Sequence, residues 1–77
     1  MSITVQFLGI LNEAAGRDHD EMDVSGSKES VLGAIVKKYP SVGNLSFITA
    51  INGRVSHGNA TVREGDLVTL IPPAPGG

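Results

Sequence analysis

The sequence predicts an α+β fold: a mixed sheet of four to five strands with one main helix packed across one face. Three features carry that prediction. The opening "SITVQFL" alternates apolar and polar residues, the period of a half-buried strand. The central "SKESVLGAIVKKYP" holds one apolar stripe at helical spacing. The closing "LVTLI" is a short apolar run suited to a buried strand.

Taken in order, Ile3, Val5 and Phe7 fall on one face of the first strand, and Thr4, Gln6 and Leu8 on the other. "GILNEAAGRD" follows, flanked by Gly9 and Gly16, as a loop or a short helical turn built on Leu11, Ala14 and Ala15. "HDEMDVSG" can pair back as a short second strand with Met22 and Val24 pointing inward. In the helix, Val31, Ile35 and Tyr39 follow at i+4 steps, with Leu32 and Val36 beside them. Ser27 is placed to cap it, Glu29 suits its positive first turn, and Lys37 and Lys38 suit its negative last turn. Pro40 stops it, and Gly33 costs it a little. "SVGNLS" reads as a connecting loop. "FITAINGRVSHG" reads as a hairpin in which Asn52-Gly53 supplies the two positive-φ residues of a type I′ turn. "TVREGD" makes a further turn before the last strand.

The order is strand, strand, helix, strand, short strand, strand. A first and last strand on either side of one helix can pair in parallel at the centre of a sheet, with the helix across one face. This is a β-grasp arrangement, as in ubiquitin. Residues 1–71 form the globular domain and residues 72–77, "PPAPGG", a flexible tail, because consecutive prolines continue neither ladder nor helix.

Seventy-seven residues make one domain with a thin core. With 40% apolar residues, ten glycines and a net charge of -2, the composition is that of a globular chain. No cysteine is present, which excludes disulfide scaffolds, thiolate metal sites and a cysteine nucleophile. The N-terminus lacks a basic stretch followed by an apolar run, and no segment reaches the roughly 18 apolar residues of a membrane span. The expected location is the cytoplasm, without membrane or nucleic-acid partners. Six basic and eight acidic residues are spread without a basic block. The densest charge run, Arg17 to Asp23, reads as a solvated loop and strand edge.

Catalytic chemistry is hard to place on this chain. His19 and His57 lie in different loops without convergent spacing, so no metal site is expected. Asp18, Asp20 and Asp23 lack the glycine and terminal glutamate of a calcium loop, and no phosphate-binding glycine pattern occurs. The tail is what remains. A Gly76-Gly77 end free of side chains can thread a narrow channel and present its carboxylate to another protein's active site. Adenylation would activate that carboxylate, after which a sulfur donor gives a thiocarboxylate or an amine an isopeptide bond. Pro72, Pro73 and Pro75 would keep the preceding stretch extended and lower the entropy lost on insertion.

"ITVQFLGILNEAAG", "FITAINGRV" and "EGDLVTLIPPAPGG" together resemble the MoaD family, the small sulfur-carrier subunit of molybdopterin synthase, within the MoaD, ThiS and ubiquitin-like β-grasp superfamily. The specific parts are the aromatic first strand followed by Glu13 and Gly16, the Ile51-Asn52 hairpin, the Gly65-Asp66 turn, and a Pro-Pro pair shortly before a terminal Gly-Gly. The resemblance implies that Gly77, with Gly76 as its flexible neighbour, is adenylated by a ubiquitin-activating-type, MoeB-like enzyme that uses ATP, and then carries sulfur as a thiocarboxylate. It implies a large, MoaE-like synthase subunit that supplies the catalytic side chains, so that this chain is not itself an enzyme and binds no cofactor. It places partner-binding positions on Leu8, Val55 and Ile71, and with them Pro72 and Pro73, which lead to the terminus.

The period of two supports part of this placement: if Val68 and Leu70 face the helix, then Leu67, Thr69 and Ile71 face out, with Leu8 opposite the Ile3, Val5 and Phe7 set. Leu8 and Ile71 then form either a partner surface or a patch covered by the chain's own loops. Leu8 and Ile71 are aliphatic where many relatives carry phenylalanine. Four other readings stay open. Thiamine-pathway sulfur carriers are relatives whose tails generally lack a pair like Pro72-Pro73, and a structural interaction domain would have a tail without chemistry. Small archaeal modifier proteins also end in Gly-Gly and join their terminus to target lysines. "INGRVSHGNATVREGDLVTL" also resembles part of the α-L RNA-binding module, although the one long helix here has no arginine and the net charge is negative.

Overall fold

The structure, a computed structural model, describes residues 2–73. Its main sheet has five strands: β1 (Ile3–Phe7), β2 (His19–Met22), β4 (Ile48–Ile51), β5 (Arg54–Val55) and β7 (Leu67–Ile71). Their order across the sheet is β2-β1-β7-β4-β5. β1 and β7 pair in parallel with Phe7 opposite Leu70, and the other neighbours pair antiparallel. First and last strands thus form the centre, as the apolar content of both requires.

The helix α2 (Lys28–Lys38) is capped by Ser27, whose hydroxyl accepts from the Ser30 backbone N–H at 3.1 Å. Val31 and Ile35 are fully buried against Ile3, Val5, Phe7, Val68 and Leu70, so the helix covers one face of the sheet. This is the β-grasp architecture. Phe7 meets Tyr39 edge to face, with ring centroids 5.1 Å apart. The Asn52-Gly53 turn has positive φ at both residues, 52° and 82°, as a two-residue hairpin requires.

Several local expectations change. "ILNEAA" is a helical turn, α1 (Ile10–Ala15), that buries Leu11. Pro40 ends α2 but also opens a further short helix, α3 (Pro40–Gly43), in the segment expected to be loop, because proline fits the first helical turn. Val42 of α3 is fully buried. Thr61–Val62, expected to belong to a turn, is a strand, β6, that pairs with β3 (Gly26–Ser27) in a second, two-stranded sheet. Val62 joins the core from it. Strand β2 ends at Met22, and the inward residue that alternates with Met22 is Asp20, whereas Val24 packs against the core from beyond the strand. His19 therefore opens a strand and does not lie in a loop.

The charge run from Arg17 to Asp23 is not uniformly solvated. Asp20 is only 8% exposed, and its carboxylate is satisfied by three donors, Arg17 from the run itself and Lys38 and Tyr39 from the end of α2. The remaining acidic residues of the run, Asp18, Glu21 and Asp23, are exposed.

Candidate functional site

The outer face of the sheet, away from α2, is the candidate surface. Register places its residues in rows. Ile48 stands opposite Ile71, Ala50 lies between Thr69 and Val55, and Thr69 stands opposite Gln6. Leu8 follows directly on β1 and donates its backbone N–H to the Leu70 carbonyl at 3.1 Å, so it flanks Ile71 on the side away from Ile48. Leu8, Ile71 and Ile48 thus form a continuous apolar row across three strands, with Val55 one row away.

Leu8 (38% exposed), Ile48 (39%) and Val55 (44%) stand open, and Ile71 is half-buried. Leu8 is therefore not covered by the chain's own loops. Thr69 faces outward as expected but is buried, bonded through its hydroxyl to Gln6 at 3.4 Å.

At the end of this row β7 gives way to Pro72 and Pro73. Pro72 cannot donate to the ladder. It packs instead beside Gly9, at φ 56° and ψ −131°, where a built Cβ would come within 3.0 Å of Pro72 Cγ. The last residues, Pro75, Gly76 and Gly77 among them, lie outside the described residues, and so does the expectation that they form a flexible arm.

The opposite end of β7 is tied to the hairpin. Asn52 donates its side-chain amide N–H to Asp66 at 3.0 Å and accepts from the Leu67 backbone N–H at 2.8 Å. Asp66 also accepts from the Arg63 backbone N–H at 2.8 Å. That backbone bond, then the Asn52 bond, holds the Asp66 carboxyl below its ordinary value.

The other charged cluster lies at the sheet's far edge. Asp20 accepts from Lys38 at 2.7 Å, Tyr39 at 2.5 Å and Arg17 at 3.0 Å. Burial pushes its carboxyl up, but the bonds from Lys38 and Tyr39 and the charges of Lys38 and Arg17 outweigh it and leave the carboxyl below its ordinary value. Burial, then the Asp20 bond, raises the Tyr39 phenol. This cluster joins β2 to the end of α2, and a broad open concavity beside it is lined by Thr4, Arg17, Asp18, His19, Asp20 and Glu21. None of those residues belongs to the apolar row. Among the described residues, no group of three or more His, Asp or Glu side chains is arranged to hold a metal.

A fold of this topology whose last central strand runs straight into "PPAPGG" can be compared with known families. The ThiS family model matches residues 5–77, from the first strand through the terminal glycine. The chain belongs to the ThiS family. No curated protein sequence shows significant similarity to it.

Solved structures share the fold of this ThiS-family chain at low sequence identity. The small archaeal modifier protein SAMP1 from Haloferax volcanii superposes with a TM-score of 0.85 at 22% identity, covering 100% of both chains. A molybdopterin converting factor subunit 1 from Pyrococcus furiosus gives 0.85 at 19% identity, covering 96% of this chain and 99% of that one. Molybdopterin-converting factor from Helicobacter pylori, solved as a complex of its subunits 1 and 2, gives 0.73 at 24% identity, covering 100% of both chains.

Two apolar residues of the surface are missing from the sequence reading. Ile48 shares the outer face with Val55, and hairpin parity could have found it: a two-residue loop at Asn52-Gly53 sets Ala50 opposite Val55, and Ile48 lies two residues before Ala50. Ile10, 54% exposed, sits on α1 directly after Gly9. No periodic signal marked it, because α1 is too short to establish a face.

Proposed function

We propose that the chain is a sulfur carrier, the small subunit of a molybdopterin synthase. Its Gly77 carboxylate is adenylated at the expense of ATP by a ubiquitin-activating-type enzyme. Sulfide from a donor then displaces AMP to give the thiocarboxylate, which donates sulfur to the pterin precursor in the active site of a large subunit. The globular part contributes no catalytic side chain. Its work is to dock and to deliver the terminus.

One observation carries the reading: the family match extends through Gly77, so the Gly-Gly end is part of what this chain shares with its family. The apolar row of Leu8, Ile71 and Ile48 supports it, because the row adjoins the strand that leads into the tail. The Helicobacter complex supports a large-subunit partner by analogy of fold.

A second reading has its own observation, the full-length superposition on a small archaeal modifier protein. There the activated Gly77 would meet a lysine amine and form an isopeptide bond. The chain incubated with ATP, an activating enzyme and a sulfide source, once purified and once added to a lysate, separates the two. Carrier chemistry leaves a single species heavier by the exchange of one oxygen for sulfur. Modifier chemistry leaves covalent conjugates in a lysate, dependent on Gly77, and their appearance without any thiocarboxylate would overturn the carrier assignment.

A further inference from the structure

We propose that Gly9 is a positioning residue for the C-terminal arm: its bare Cα is the seat on which Pro72 rests, and this seat sets the direction in which the chain leaves the fold. The inference rests on the proposed delivery of Gly77 to an activating enzyme.

Three observations converge on the seat. Gly9 adopts φ 56° and ψ −131°, a combination closed to L side chains. A Cβ there would stand 3.0 Å from Pro72 Cγ and 3.7 Å from Cδ, and at the first of these the proline ring would have to give by a few tenths of an ångström. The seat is also held in place from both sides. Leu8 N–H binds the Leu70 carbonyl at 3.1 Å, and the Gly9 carbonyl accepts from Asn12 N–H at 3.0 Å. Gly9 is thus locked to both β7 and α1.

Pro72 is suited to the position for a complementary reason. Its missing N–H ends the ladder, and its ring fixes φ, so contact with Gly9 determines where the next residues point. An arm oriented at its root loses less entropy on entering a channel than one that pivots freely at Ile71. Leu8 and Ile10, the exposed chain neighbours of Gly9, offer a partner apolar surface next to the seat.

The test uses the full-length chain with ATP, a ubiquitin-activating-type enzyme and a sulfide source that displaces AMP and allows turnover, following pyrophosphate release against carrier concentration. Wild type, Gly9→Ala, Pro72→Ala and the double variant are compared at a temperature where each is folded. NMR of the wild type is expected to show contacts between Gly9 Hα and the Pro72 ring. Each single substitution is expected to raise KM about three- to tenfold with kcat unchanged, the range set by re-ordering one or two residues on docking. The double variant should be no worse than the poorer single one, because both remove the same contact. A folded Gly9→Ala chain with wild-type KM, or no contact between Gly9 and Pro72, overturns the proposal. If Gly9→Ala does not fold, Pro72→Ala decides, and a wild-type KM there overturns it equally. If the wild type is not adenylated at all, the functional reading fails, while the NMR contact still decides whether the seat exists.

Discussion

Tyr39 donates its phenolic hydrogen to Asp20 across 2.5 Å, joining the end of α2 to the edge strand β2 at the most buried carboxylate among the described residues. Lys38 reaches the same carboxylate oxygen at 2.7 Å. These charge-assisted bonds come from adjacent residues and hold the helix end over the sheet. Replacing Asp20 by Asn keeps the shape and removes the charge, and is expected to cost about 2 kcal/mol. Urea unfolding at neutral pH measures it.

The same carboxylate makes stability depend on pH. Asp20 and Asp66 both titrate below the ordinary value of 3.8 in the folded chain, so their contribution is complete above that value and is lost as pH falls through the folded values. Tyr39 and Lys38 are raised above 10.0 and 10.5, so theirs is complete below those values and is lost as pH rises through the folded ones. The urea midpoint should therefore fall at both extremes. The acid fall should be shallower in the Asp20→Asn chain.

Asn52 does two things at once: it accepts a positive φ, and its side chain bridges Asp66 and the Leu67 N–H. Substitution separates them. Asn52→Gly keeps the turn and loses the bridge, whereas Asn52→Ala loses the bridge and strains the turn. The alanine chain should be less stable than the glycine chain by about 1 kcal/mol, the usual penalty for a side chain in the left-handed region. Thermal melting of the two variants side by side gives the comparison.

Much of this architecture was legible in the residues. The alternation of Ile3, Val5 and Phe7, the Val31 and Ile35 stripe and the Asn52-Gly53 turn each act within a few neighbours, so local pattern suffices. Asp20 was not legible. An aspartate between His19 and Glu21 looks solvated until the fold brings Lys38 and Tyr39 to it across 18 and 19 residues. β3 and β6 were missed for a related reason: two-residue strands carry no period, and only their mutual pairing defines them. At the candidate site, Leu8 and Val55 lie exposed on the outer face as expected, and Ile48 became visible only once the hairpin register was known. The contact between Gly9 and Pro72 joins opposite ends of the chain, and nothing in either segment announces it.

The apolar row yields a prediction about partners. Ile48→Asp places a charge in the middle of the exposed surface while leaving the buried face untouched. Stability should change by no more than about 1 kcal/mol. Affinity for a large synthase subunit should fall more than about tenfold, because an uncompensated charge would be buried on docking. Titration calorimetry with the purified subunit reads the affinity, and an unchanged value would place the docking surface elsewhere.

Intact-mass analysis after incubation with ATP, an activating enzyme and a sulfide source, on the full chain and on one lacking Gly76 and Gly77, shows whether Gly77 carries the chemistry. The full chain is expected to gain the mass difference between sulfur and oxygen, and the truncated chain to fold identically and gain nothing. A full chain of unchanged mass, or a truncated chain that still supports pterin sulfuration with purified partners, would rule out Gly77 as the reacting group.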